Sequence, residues 1–386
     1  MANKVLFLTL RVFSATGGIE KVCRIMGKAL YELGLQYGGQ VNIFALYGHS
    51  RFTDGNKYFP QQIIRGFNFK RIRFVLASLA AGRTSNVILL SHINLLLVGY
   101  LIKLIKPSAR LILLAHGIEV WKPLPAWKRY ILNRCDGILA VSTYTAKRMQ
   151  MLHGMDAAKI TVINNCLDPL LEKPLTADAA DTLKQRYGLQ NGQPVLLSVS
   201  RMVETEKYKG YDKVLAILPK LIKTHPALKY LLVGKYDENE KKRLDELVLA
   251  SGIRAHVLFT GFVPDEEMAA HFGLADVFVM PSEKEGFGIV FIEAMFYGIP
   301  VIAGNKDGST DALLHGELGT LVDTDEAGAL LQAIQNILNK RAAYLPNEGK
   351  LMEHFSYKGY KRRIREVVRN KELGIRNKEL GMRNKE

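Results

Sequence analysis

This chain has little of what a secreted, membrane-spanning or metal-built protein needs. Only three of its 386 residues are cysteine, Cys23, Cys135 and Cys166. They are odd in number and widely spaced, so they offer neither a disulfide framework nor a metal-ligand cluster, and a reducing compartment follows. The opening Met1-Ala-Asn-Lys4 and the apolar run from Val5 to Leu10 are too short for a secretory signal. The strongest apolar stretch, Ile93 to Ile102, is closed by Lys103 and falls short of the ~20 residues a spanning helix requires. No zinc-finger pattern or aromatic-basic single-strand-binding motif is present. No Gly-x-Gly-x-x-Gly turn follows the first strand, and no Asp-x-Asp pair of the metal-binding kind is evident. The expectation is a cytoplasmic protein that does not cross a membrane, with a peripheral place on its inner face as a further option.

Acidic residues are also in deficit. Lys and Arg number 53 against 37 Asp and Glu, a net charge of +16. Such an excess attracts polyanions. An anionic lipid surface or a phosphate-bearing small molecule fits better than nucleic acid.

What the chain does have is apolar material for a core: 48% of its residues are hydrophobic and the mean hydropathy is +0.01. Its length suggests about two domains. Short apolar runs alternate with longer periodic segments, the pattern of βαβ units on a parallel sheet. Strands are expected at Val5–Leu10, Val41–Tyr47, Val87–Ser91, Leu111–Ala115, Gly137–Val141 and Ile160–Ile163. Helices are expected at Ile19–Leu33 and Thr143–His153. A second series follows at Val195–Ser200, Tyr230–Val233, Val257–Thr260, Val277–Met280, Pro300–Ala303 and Thr320–Val322. The fold class is therefore α/β, with two Rossmann-like, doubly wound parallel sheets facing across a cleft. The expected domains are 1–166, a hinge over 167–193 with one short helix near Thr182–Tyr187, and 194–355. A basic helix at 356–370 returns to the first domain, and a basic seven-residue repeat occupies 371–386. Ligands of open α/β sheets bind at the carboxyl ends of the strands.

The most specific segment is Val279 to Gly298, VMPSEKEGFGIVFIEAMFYG. A strand ends at Met280-Pro-Ser282, a Gly-rich turn follows (Glu285, Gly286, Phe287, Gly288), and a helix opens near Ile289. Amides at a helix start lack intrahelical partners and the dipole there favours anions, so the amides of Gly288, Ile289 and Val290 offer a diphosphate seat. Glu285 and Glu293 bracket it with seven residues between them, and a carboxylate accepts hydrogen bonds from paired sugar hydroxyls. The bland alternative is a loop charge and a helix-surface charge.

This segment resembles the retaining glycosyltransferases of GT-B fold that carry a Glu-x7-Glu motif, the bacterial group 1 or family 4 glycosyltransferases, and the resemblance covers nearly the whole chain. Ala15-Thr-Gly17-Gly18-Ile-Glu-Lys21 looks like that family's first strand-to-helix glycine turn. Arg201 and Tyr208-Lys209-Gly210 look like its phosphate clamp. Leu232-Val-Gly234, Thr260-Gly-Phe262-Val263-Pro264 and Gly304 through Val322 match its later donor-side segments. The resemblance implies that Arg201 and Lys209 stabilise the departing diphosphate in place of a metal ion, that Glu293 holds ribose and Glu285 the hexose, and that Phe262 and Val263 meet the base. The departure is the long spacing from Arg201 to Lys209, with Lys207 as a rival. On the acceptor side, His116 at a strand end stands near the reacting sugar by the same resemblance; Glu119 and His92 are weaker candidates, and Gly17 and Gly18 bring backbone close to diphosphate or acceptor.

The implied function is transfer of a hexose from a UDP- or GDP-sugar to a glycan or lipid-linked hydroxyl, with no metal and no cofactor beyond the substrate, in polysaccharide or cell-surface glycan assembly. A Rossmann-type nucleotide-sugar oxidoreductase or epimerase would need the absent glycine fingerprint. A non-catalytic nucleotide-sugar-binding protein on the same fold is countered by the presence of Glu285, Glu293, Arg201 and His116 together. Finally, Arg65, Lys70, Arg71, Arg73 and Arg83 interleave with Phe67, Phe69, Phe74, Val75 and Leu76 between Gln62 and Ser85. A basic amphipathic helix on anionic lipid has this pattern, and so does an ordinary surface helix.

Overall fold

The computed structural model describes residues 4–13, 17–49, 56–173 and 178–369. The chain divides into two compact units, Met1–Leu170 with Phe355–Glu386, and Leu171–His354. Of the residues expected as a hinge, 167–170 fall in the first unit and the remainder in the second. Ala15, Thr16 and the repeat over 371–386 lie outside the described residues.

The first unit is built on a seven-stranded parallel sheet in the order β3-β2-β1-β4-β5-β6-β7, from β1 (Lys4–Thr9), β2 (Gln40–Ala45), β3 (Ile64–Gly66), β4 (Val87–Leu90), β5 (Arg110–Ala115), β6 (Gly137–Ala140) and β7 (Ile160–Val162). Its central strands are near-continuous Val, Ile and Leu because helices cover both faces. Right-handed crossovers put α1 (Gly18–Tyr37) on one face and α2 (Arg71–Gly82), α3 (Leu96–Ile105), α4 (Ala126–Leu132) and α5 (Thr143–His153) on the other. The bounds of α5 are those read from sequence: Ser142 Oγ accepts from Thr145 N at 3.1 Å, and Gly154 closes the helix in the left-handed region.

The stretch Gln62–Ser85 is not one helix. Ile64–Gly66 is an edge strand, the chain turns through Asn68 and Phe69 with positive φ, and only Arg71–Gly82 is α-helical. Phe67 and Phe74 are core residues stacked edge-on at 5.3 Å. The interleaved pattern therefore mixes a strand, a turn and a helix.

The second unit holds a six-stranded parallel sheet in the order β10-β9-β8-β11-β12-β13, from β8 (Val195–Val199), β9 (Lys229–Val233), β10 (Val257–Gly261), β11 (Val277–Met280), β12 (Val301–Gly304) and β13 (Thr320–Val322). Helices α6 (Asp178–Tyr187), α7 (Tyr211–Thr224), α8 (Glu238–Ala250), α9 (Asp265–Gly273), α10 (Ile289–Phe296), α11 (Ser309–Ala312), α12 (Ala327–Asn339) and α13 (Glu348–Phe355) accompany it. Helix α6 starts earlier than the sequence indicated and is tied to α9, where Tyr187 donates to His271 Nε2 at 2.8 Å and Arg186 pairs with Glu267 at 2.8 Å.

The basic C-terminal helix α14 (Tyr357–Arg369) lies against α1. Tyr360, Ile364 and Val367 are buried, whereas Lys358, Arg362 and Arg369 are exposed. Lys361 pairs with Glu32 at 2.7 Å, and Arg110 donates to the Val367 carbonyl at 2.9 Å. All three cysteines are buried in this unit, and burial pushes the Cys23 thiol up to about 11 and that of Cys135 to about 12, with Cys166 raised further. Truncating Ile364 to Ala should lower the unfolding free energy by about 2–5 kcal/mol. Equilibrium denaturation of the two forms measures this; an unchanged midpoint would mean that α14 only decorates the unit.

Candidate functional site

In the second unit the segments singled out from sequence gather at the carboxyl ends of β8, β9, β10, β11 and β12. Strand β11 ends at Met280, and α10 begins at Ile289 with Gly288 as its cap, at φ +81°. A Cβ on Gly288 would stand 2.4 Å from the Phe291 ring and 3.1 Å from the Glu285 side chain, so only glycine lets the turn close onto the helix. Helix α10 is almost wholly apolar and buried, which fixes its start rigidly in the core. Glu293, in its second turn, is only 7% exposed and is not a helix-surface charge. The Phe287 ring is buried in the core, so it presents no aromatic surface; only its backbone lies at the turn.

Lys209 forms an ion pair with Glu285. Burial works against the lysine charge, but Glu285 outweighs it and holds the ammonium above the usual lysine value. Lys207 points elsewhere, 3.9 Å from Glu240. The long interval after Arg201 is filled by a 3-10 segment, Glu204–Lys209, and Glu206 from that segment pairs with Arg201. Gly210 ends it at φ +84°, where a Cβ would meet the Pro281 carbonyl at 2.2 Å, and the Glu283 amide donates to the Tyr208 carbonyl at 2.9 Å. The 3-10 segment and the Gly-rich turn are thus sewn together. Gly234 packs on the Ser200 carbonyl at the neighbouring strand end, and its amide donates to Gly261 O at 2.9 Å. After β10, Val263 is buried, whereas the Phe262 ring is half exposed beneath Lys235 Nζ at 4.7 Å.

One residue escaped the sequence reading. Asp307, 1% exposed, accepts from the Ser282 hydroxyl at 2.8 Å and the Glu285 amide at 2.6 Å through one oxygen, and from the Ser309 amide at 2.9 Å and its hydroxyl through the other. Gly308 N adds a bond to the Glu285 carbonyl at 2.8 Å. Its carboxylate therefore pins the backbone on which Glu285 stands. An Asp-Gly-Ser after a buried strand was the available signal, since a short acid there turns on its own following amides. The chain also does contain one Asp-x-Asp, Asp323-Thr-Asp325, but both carboxylates hold Lys306 at 2.5 Å. Among the described residues, no group of three or more His, Cys, Asp or Glu side chains converges as metal ligands.

The first unit places its own candidates at the ends of β1, β4 and β5. His116 is buried; its Nε2 donates to the Ser91 carbonyl at 2.8 Å, and its amide donates to Glu119 Oε1 at 2.6 Å. That carbonyl fixes the tautomer, leaving Nδ1 as the acceptor nitrogen of the neutral ring. Glu119 thus clamps the turn after β5. His92 caps the following turn, its Nδ1 accepting from Asn94 N at 3.1 Å; burial lowers its pKa against the opposing pull of Glu119, with His116 and Lys128 adding to the lowering. Gly17 caps α1, and Gly18 opens it with free space where a Cβ would stand.

The family described as "Glycosyl transferases group 1" matches residues 179–362, and "Glycosyltransferase Family 4" matches 16–169. The chain is 33% identical over 276 residues to the GDP-mannose-dependent alpha-(1-6)-phosphatidylinositol monomannoside mannosyltransferase of Mycolicibacterium smegmatis, spanning 67% of this chain and 68% of that one. It is 28% identical over 221 residues to the 2-deoxystreptamine glucosyltransferase of Streptomyces kanamyceticus, spanning 57% of this chain and 56% of that protein's length. Among solved structures, Anabaena Alr3699/HepE in complex with UDP and glucose has the same fold, with a TM-score of 0.77 at 20% identity over 95% of this chain and 99% of that one. Two parallel-sheet α/β units with this likeness make the fold GT-B.

Burial pushes the Asp307 carboxyl up to about 6, against the hydrogen bonds from Ser309 and Glu285 N that favour its charge. An acid whose folded pKa lies above its unfolded one takes up a proton on folding, so its contribution to stability falls as pH rises between about 4 and 6. Denaturation of wild type and Asp307→Asn across that window should show the fall only in wild type; identical pH slopes would refute the assignment.

Proposed function

Because the chain belongs to the group 1 glycosyltransferase family, we propose that it is a retaining, metal-independent hexosyltransferase acting on a nucleotide-diphosphate sugar. The observation that carries this reading is Lys209 paired with Glu285 beside the start of α10, with Arg201 just ahead of the 3-10 segment that ends in Lys209 and paired to its Glu206. A start of this kind attracts a diphosphate, and two cations beside it interact more strongly as negative charge grows on the leaving group. In this assignment the amides of Gly288, Ile289 and Val290 face phosphate, Glu293 accepts from ribose hydroxyls, and Glu285 accepts from the hexose while sharing Lys209 with the diphosphate. Phe262 and Val263, near Gly234, meet the base. His116, oriented through Ser91 and Glu119, serves the acceptor side with Gly17 and Gly18.

The bond between the sugar C1 and the phosphate oxygen breaks, and the acceptor oxygen bonds to C1 on the same face. The acceptor proton passes to the departing phosphate oxygen. No carboxylate nucleophile is required. The names of the 33%-identical mycobacterial relatives make GDP-mannose the first donor to test, with a lipid-linked or glycan hydroxyl as acceptor, in polysaccharide or cell-surface glycan assembly at the cytoplasmic side.

Thermal-shift titration with GDP, UDP and their sugars, followed by turnover with and without acceptor, tests the donor assignment. Nucleotide release that depends on acceptor is expected; no stabilisation by any nucleotide would overturn it. Arg201→Ala should lower kcat by about 10²–10³-fold with a smaller change in donor KM. Glu293→Ala should raise donor KM by about tenfold or more, the cost of a charged hydrogen bond. EDTA should leave turnover intact; loss restored by Mg²⁺ or Mn²⁺ would show that the two cations do not carry the diphosphate.

A further inference from the structure

The basic excess is not spread along the chain. Residues 56–135 contain thirteen Lys and Arg but one acid, Glu119, and the remainder of the sequence is nearly balanced. This span builds α2, α3 and α4, which lie side by side on one face of the first sheet, α2 against α3 and α3 against α4. Tyr100 of α3 and Tyr130 of α4 meet edge-on at 6.2 Å across the second of these seams.

The outward side of these helices is apolar where a water-facing surface would be polar. Ile72 and Leu76, one turn apart on α2, are 78% and 62% exposed. Phe69 before α2, Leu104 on α3 and Trp127 on α4 are also more than half exposed. Buried Phe74 faces the sheet from the opposite side of α2, so Ile72 and Leu76 are surplus to the core. Around them stand Arg71, Arg73, Arg83 and Arg129, all exposed, and among the described residues no acid pairs with any of them.

We infer that this α2-α3-α4 face docks the protein on an anionic lipid bilayer. Aliphatic and indole side chains enter the acyl boundary while the arginines meet lipid phosphates. Nucleic acid would use the cations but would leave Ile72 and Leu76 in water. The inference stands on the surface alone and is independent of the transfer reaction. Among the described residues no helix is long and apolar enough to cross a membrane, so the contact is interfacial.

Flotation of the full chain with vesicles of phosphatidylcholine and phosphatidylglycerol, against phosphatidylcholine alone, tests it. Wild type should float only with the anionic vesicles, and less at high salt. Ile72→Ser with Leu76→Ser, and separately Arg71→Glu with Arg73→Glu, should each cut the bound fraction about tenfold or more. Lys220→Glu with Lys340→Glu, exposed cations of the other unit, should not. The chain has two tryptophans, Trp121 buried and Trp127 exposed, so brominated lipid should quench emission in wild type and not in Trp127→Phe. That readout needs no change to α2 and holds if an α2 variant fails to fold. Absence of flotation, flotation without Trp127 quenching, or equal loss in the Lys220/Lys340 control overturns the inference; retention of labelled RNA by a protein that ignores vesicles would assign the face to nucleic acid instead.

Discussion

The second unit is organised around an ion pair in which neither charge is well solvated. Lys209 and Glu285 come from segments far apart in sequence, and each side chain is less than one-fifth exposed. A buried pair of this kind contributes little net stability, yet removing either partner leaves a charge that water cannot reach. Both backbones must therefore be fixed before the pair can form. Gly210 lets the 3-10 segment pass against Pro281, the Glu283 amide locks it to Tyr208, and Asp307 with Gly308 holds the Glu285 backbone from the next strand. The start of α10 then has its position set by the same atoms that set the charges.

Arg201 follows a different rule. It is largely exposed, and its partner Glu206, on the 3-10 segment that follows, is the more buried member of the pair. One cation is enclosed by the fold, and the other reaches into solvent from a single partner.

The sheets were legible from sequence because parallel strands covered on both faces appear as near-continuous apolar runs, Val, Ile and Leu in β4 and β5 and Val, Phe and Met in β11. Helix α5 was legible to the residue because its start and stop are written in Ser142 and Gly154. Strand β3 was not: three residues, Ile64-Arg-Gly66, carry no period, and their place at the sheet edge is set by β2. Within Gln62–Ser85 only the extent of the helix was misread, since a strand, a left-handed turn and the helix Arg71–Gly82 together imitate one amphipathic segment. In the site, Glu285, Glu293 and Gly288 stood out because their types and spacing match a strand-turn-helix seat, and Lys209 because Tyr208-Lys209-Gly210 resembles the family's phosphate clamp. Asp307 was illegible because its work is done on the backbone of residues more than twenty positions earlier, which no local pattern records.

The sequestered thiols of Cys23, Cys135 and Cys166 have a practical consequence. Nucleophilic attack requires thiolate, and all three are held as protonated, solvent-shielded groups in one unit. Maleimide chemistry at neutral pH would pass them by. A single cysteine introduced on an exposed helix would then be the one reactive handle, and the natural chain becomes a ready scaffold for site-specific fluorophores or spin probes without prior removal of its own sulfur.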